Sequence, residues 1–435
     1  MVAVAVAVAV VLGACGDDGA MAEGGSTDGP GSTLGEGTFS TLEGTSVGTS
    51  VGPGADTSTT LVDPDSTTIV DPDSTSTGMP DPVDPFGAVD AIDLEIGFTP
   101  LSLEIGDFDG DDARDLLIAG TGGGLVVAAT RRGDGAGGLL PAVDAGISAC
   151  SAFPVTGALD DDGRTDTFFG TCMGQGVFYR GTESGPFATA DVLAPWEQAQ
   201  IVSSRFADVD ADGDDDLVLV TTATGLQFHV ATHGDAPMWP VTSRDVDLDD
   251  FPANRFRVGD LDGDGALDAV VLVTDGLAAT VADIAGEATA TILELEVAPW
   301  SVALGDLDGD GDDDLIVASR GAAAVQVLLN DGAGTFVDAG TTPLRSDEDG
   351  IDPFEIVLGD FDGDGNVDVA TIDAEAPRIA YALGTGSGEW GPWFSRPLSS
   401  VAVRVHAVDL DGDGRDELVA ATFATDTVDV LRPVD

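Results

Sequence analysis

Lysine is missing from this chain altogether. All 16 basic residues are arginine, set against 79 acidic ones, for a net charge of −63 over 435 residues. Phosphate backbones are bound by concentrated positive charge, so nucleic acid is not expected as a partner. So strong a negative field also disfavours acidic ligands and keeps the protein in solution. Histidine and cysteine are scarce, three of each. No Ser-His-Asp, Cys-His or isolated carboxylate pair can be assembled into a catalytic arrangement, which argues against an enzyme. Long apolar runs are absent too. The unbroken stretch at residues 1–11 is too short to span a bilayer comfortably and fits the apolar region of a signal peptide. No long amphipathic helical period appears anywhere.

What the chain does have is one acidic phrase, Asp-x-Asp-x-Asp-Gly-x-x-Asp, seven times over. The copies begin at Asp107, Ala158, Asp208, Asp260, Asp306, Asp360 and Asp409, in steps of 46 to 54 residues. A period of this size signals a solenoid, a propeller or an array. Positions 1, 3, 5 and 9 carry the carboxylates. They are Asp107, Asp109, Asp111 and Asp115 in loop 1; Asp160, Asp162 and Asp166 in loop 2; and Asp208, Asp210, Asp212 and Asp216 in loop 3. Loop 4 has Asp260, Asp262, Asp264 and Asp268; loop 5 has Asp306, Asp308, Asp310 and Asp314. Loop 6 has Asp360, Asp362, Asp364 and Asp368, and loop 7 has Asp409, Asp411, Asp413 and Glu417.

Hard oxygen ligands at alternate positions, a sharp glycine turn and a closing carboxylate are what calcium requires. One such match would be no more than a solvated Asp/Gly turn. Seven in register place 27 carboxylates where they repel one another unless cations intervene. Up to seven calcium ions are therefore expected. The second site should be the weakest, since Ala158 removes its first ligand. In loop 1, Asp112 replaces the usual glycine at position 6, a substitution that aspartate tolerates in the left-handed region better than most residues.

Short apolar runs flank each loop, so it joins two β-strands rather than two helices. In the fifth repeat the expected strands are 301–305, 315–319, 324–329 and 335–339, with an Asn-Asp-Gly hairpin turn at Asn330. Four short strands per fifty residues, with no polar capping repeat at either end, favour a closed propeller over an open solenoid.

The repeats resemble the FG-GAP/VCBS family of integrin-α-type propeller blades, over residues 86–432. That resemblance implies an all-β fold, a seven-bladed β-propeller of four-stranded blades, with calcium in the loop joining two neighbouring strands of each blade. It leaves function open, because such propellers serve adhesion, ligand binding, assembly and, with extra domains, catalysis. The Phe-Gly and Gly-Ala-Pro flanks of integrin repeats are mostly absent, so integrin ligand specificity does not carry over.

Ahead of the repeats, Leu12-Gly13-Ala14-Cys15 resembles a bacterial lipobox, which makes residues 1–15 a signal peptide and Cys15 the lipidated residue. Residues 16–85 are rich in Gly, Ser, Thr, Asp and Pro and form a disordered tether. Cys150 and Cys172 flank the second loop and are expected to form a disulfide in an exported protein. His229 and His233 lie four apart on a strand-to-turn segment, a weak metal candidate. Arg132-Gly133-Asp134 spells an adhesion tripeptide, but it falls in a turn that hairpin geometry explains.

The seventh repeat supplies only three strands. Residues 84–90 resemble the start of other fourth strands, so residues 86–94 are expected to pair with 427–431 and close the propeller, 86–435. The reading is a monomeric, calcium-binding, surface-tethered, non-enzymatic binding or adhesion module, held to a membrane by a lipid anchor alone. Its ligand would be a protein or a carbohydrate. Its location would be the outer membrane or cell surface, with the periplasm or secretion as the alternative. A propeller lyase or hydrolase and a purely structural envelope protein are the competing functions.

Overall fold

The computed structural model describes residues 83–434, apart from 123–124, 150–152, 161, 171–175, 185–186, 194–200, 222–225, 233–239, 247–255, 274–275, 287, 345–349 and 424. Its strands form seven antiparallel sheets of four strands each. In the first six, sequence order and spatial order coincide, so each repeat folds as one meandering blade. The first strand of each blade packs beside those of the blades before and after it, and that of blade 7 packs beside that of blade 1. Seven inner strands therefore close into a ring. This is a seven-bladed propeller, not an open array.

Blade 5 shows the pattern: Ser301–Gly305, Asp314–Ser319, Ala324–Asn330 and Phe336–Pro343 from the axis outward. The second strand, DLIVAS, is buried throughout, as is DAVVLV in blade 4. A central blade strand has a neighbouring blade on both faces, so β-branched and aliphatic residues fill it without the polar alternation of a half-solvated sheet. The outermost strand of blade 4, TATILE, is exposed along nearly its whole length and carries threonine and glutamate instead.

Aromatic pairs join the blades. Phe228 and Phe256 meet edge to face at 5.7 Å between blades 3 and 4, and Phe108 meets Phe187 at 5.2 Å between blades 1 and 2.

Blade 7 is assembled from both halves of the sequence. Its strands Ala402–Val408, Glu417–Thr422 and Thr427–Leu431 are completed by Asp90–Asp93, which pairs antiparallel with the last of them. Beyond that ladder Phe86 bridges Pro433, and Leu94 N donates to Asp426 O at 2.7 Å. Phe86 and Leu94 are both buried, and the Phe86 ring lies tilted against Phe361 and edge-on to Tyr381 of blade 6. Asp84 secures the entry. It accepts the Tyr381 hydroxyl at 2.7 Å and pairs with Arg396, both from blade 6.

Candidate functional site

Every acidic loop joins the first and second strand of its blade, so all seven emerge at the same end of the ring. Loop 5 shows how the residues set the turn. Asp306, at position 1, accepts the amides of Gly309 at 2.7 Å and Asp310 at 3.1 Å on one oxygen and that of Gly311 at 3.1 Å on the other. Asp308 accepts the Asp310 amide and Asp310 that of Asp312. The chain can curl this tightly because positions 4 and 6 adopt positive φ, 80° at Gly309 and 96° at Gly311. Asp112 holds the same conformation at φ 66° in loop 1, and Ala211 does so at φ 58° in loop 3.

Position 9 does something different. Asp314 is buried, and its two oxygens accept Leu307 N and Asn330 N, both at 2.8 Å. It thus ties the start of its own loop to the far end of the third strand. Asp115 does the same with Phe108 and Gly133, Asp166 with Leu159 and Gly181, Asp268 with Leu261 and Asp283, and Asp368 with Phe361 and Gly384. Burial pushes these carboxyls up against the opposing pull of the two amides, to about 6 for Asp115 and Asp166 and to about 7 for Asp368. Asp268, Asp314 and Glu417 are raised by the same cause.

Positions 1, 3 and 9 converge. Asp107/Asp109/Asp115, Asp208/Asp210/Asp216, Asp260/Asp262/Asp268, Asp306/Asp308/Asp314 and Asp360/Asp362/Asp368 each bring three carboxylate oxygens within 4.8 Å of one another, a grouping that could hold a metal ion. The position-5 groups Asp111, Asp212, Asp264, Asp310, Asp364 and Asp413 each accept the amide two residues on.

An FG-GAP-like repeat family model matches residues 159–219, 306–371 and 360–420. With seven four-stranded blades and one such loop in each, the case is decided. The chain is a seven-bladed β-propeller that carries FG-GAP-like repeats. Among solved structures it is similar to BBS1N, crystallised in complex with ARL6DN, at a TM-score of 0.56 and 14% identity over 80% of this chain and 96% of that one. A protein from Lactobacillus plantarum aligns at a TM-score of 0.51 and 12% identity, covering 70% and 86%. Identities this low speak for the fold alone. No curated protein matches.

Two features of these loops go beyond their carboxylates. Position 2 is always apolar and buried: Phe108, Leu159, Val209, Leu261, Leu307, Phe361 and Leu410 plug the loop into the blade. In loops 2, 3 and 7 position 8 clasps the preceding blade. Thr165 Oγ1 accepts the amide of Asp107 at 3.0 Å, Asp215 that of Ala158 at 2.8 Å, and Asp416 that of Asp360 at 3.0 Å, each with a backbone bond returned. The position-2 pattern is open to inspection in the sequence, whereas position 8 changes residue type from copy to copy and carries no period to find.

Arginines reach three of the loops. Arg132 meets Asp109 at 2.7 Å, Arg164 meets Asp162 at 3.0 Å, Arg180 meets Asp160 at 3.2 Å and Arg415 meets Asp413 at 2.6 Å. The adhesion tripeptide is absorbed by this framework: beyond the Arg132 pair, Gly133 donates to Asp115 and Asp134 accepts Ala136 and Gly138. His229 is bound by Thr221 and Ser243, each at 2.8 Å. His233, Cys15, Cys150 and Cys172 lie outside the described residues, so the lipid and disulfide expectations have no structural counterpart here.

Proposed function

We propose that this propeller is an exported, calcium-loaded binding module that displays its ring on the 16–85 tether and has no catalytic role of its own. One observation carries the metal reading. In loop 1 the Oδ1 of Asp109 is buried, with no hydrogen-bond partner, inside the group it forms with Asp107 and Asp115. A carboxylate oxygen can only accept, so an orphaned one in the interior requires a cation or a donor there. Asp107, Asp109 and Asp115 would hold calcium in loop 1, with the matching triads in loops 3, 4, 5 and 6. Loop 7 would use Asp409, Asp411 and Glu417. Calcium would supply the positive charge that the converging carboxylates lack, and would tolerate their irregular spacing better than magnesium.

Both described histidines support a non-enzymatic reading, since each is spent on the framework: His229 on two hydroxyls and His406 on the Leu103 carbonyl at 2.7 Å. Attachment through a lipid on Cys15, which follows the apolar run 1–11 in a lipobox-like Leu12-Gly13-Ala14-Cys15, is the mode the sequence supports. The ligand class we favour is a protein or carbohydrate surface, bound by the ring as a monomer.

Thermal melting in calcium, in magnesium and in excess chelator tests the metal. Calcium should raise the melting temperature strongly and magnesium weakly. Identical curves in calcium and chelator would overturn the reading.

A further inference from the structure

We propose that loop 2 takes no metal, because the guanidinium groups of Arg164 and Arg180 already occupy the role of its cation. The inference rests on the calcium reading of the other loops and refines it.

Loop 2 differs from its neighbours in two linked ways. Its first position is Ala158, so it lacks the carboxylate that elsewhere gathers the amides of positions 4 and 6, as Asp360 gathers Gly363 at 2.8 Å and Gly365 at 3.0 Å. In place of that carboxylate come two arginines. Arg164, at position 7 of the loop, holds Asp162 Oδ2 through its Nη2 at 3.0 Å, and Arg180, from the end of the third strand of the same blade, holds Asp160 Oδ2 through its Nε at 3.2 Å. Both partners lie at candidate ligand positions.

The charge count separates the loops. Asp160, Asp162 and Asp166, with Asp161 beside them in sequence, bring four negative charges against two guanidinium groups. Loops 4, 5 and 6 each carry four carboxylates at the same positions, and among the described residues none of these is ion-paired. A divalent ion entering loop 2 would lose one first-position ligand, compete for two oxygens already bound, and sit beside two fixed positive charges. Guanidinium stays ionised at any working pH, so this counter-ion cannot be titrated or chelated away. Each pair is half-exposed and worth little as a salt bridge taken singly. Their weight lies in net charge and ligand count.

Hydrogen exchange read by mass spectrometry, loop by loop on the full chain, tests this. In the parent protein, exchange across 158–166 should be the same in calcium and in chelator, while loops 4, 5 and 6 lose protection in chelator. The double variant Arg164→Gln and Arg180→Gln should lose protection at 158–166 in both solutions. Restoring the first ligand as well, with Ala158→Asp, should give that segment a calcium response. A calcium response at 158–166 in the parent, or unchanged protection there in the double variant, would overturn the proposal. Should no loop respond to calcium, the metal reading of the other loops fails, and the double variant in chelator still decides whether arginine holds loop 2.

Discussion

The Oδ1 of Asp368 accepts the amide of Gly384 at 2.7 Å, across sixteen positions of sequence, while its Oδ2 accepts that of Phe361 at the same distance. This carboxylate is buried, so losing it would strand two interior donors. Asp368→Ala is therefore expected to destabilise the protein by about 3 kcal/mol even in excess chelator, from the cost of unpaired buried amides. Asp364→Ala, in the exposed part of the same loop, should cost about 0.5 kcal/mol under those conditions. Denaturant melts of the two variants in chelator check the contrast, and equal losses would show that position 9 acts only through metal.

The closing carboxylate also shows what could and could not be read from sequence. Its recurrence nine residues into each repeat was plain, and ligand chemistry was the natural assignment. Its second role as a clamp on the third strand was hidden, because its partners are backbone amides of unrelated residues, Gly133, Gly181, Asp283, Asn330 and Gly384. Strand positions were legible because apolar runs alternate with Asp/Gly turns. Ser301–Gly305 appears with the bounds expected of it, and the second strand begins one residue early, at Asp314, since that residue already pairs through its backbone with Gly305. Ring closure was legible from the three-stranded seventh repeat and the fourth-strand likeness of residues 84–90, and the ladder forms over Asp90–Asp93, inside the expected 86–94.

A pH effect should come from His229. Burial lowers its pKa to about 4, against the weaker opposing pull of Asp245. Between the ordinary histidine value of about 6.5 and 4, the unfolded chain takes up a proton that the folded chain refuses, so stability falls as pH drops through that window. His229→Gln should remove this component, which is on the order of 2 kcal/mol. The measurement is the difference in melting temperature between parent and variant at pH 7.5 and pH 4.5. A difference that stays constant would mean the imidazole is protonated in the fold.

Truncation separates the tether from the ring. Removing residues 16–80 should leave the melting temperature unchanged. Removing residues through Leu94 exposes the edge of Thr427–Leu431 and deletes the buried Phe86 and Leu94, each worth about 2 kcal/mol of apolar burial. The shorter of the two chains should melt lower and aggregate, as followed by light scattering. If the two truncations melt alike, Asp90–Asp93 does not secure blade 7.

Cys15→Ser tests the anchor. Metabolic labelling with a fatty acid should be lost and the protein should move from the membrane fraction to the soluble one. Retention in the membrane would place the anchor elsewhere.

Asp84 gives the assembly a mechanical property. A pull on the chain ahead of Asp84 would be met by the Asp84 contacts to Tyr381 and Arg396 of blade 6 and then by the edge ladder of blade 7. The strand that bears the load is also the strand that completes the circle. A pull strong enough to break the Asp84 contacts and then peel Asp90–Asp93 away would open blade 7 at its rim.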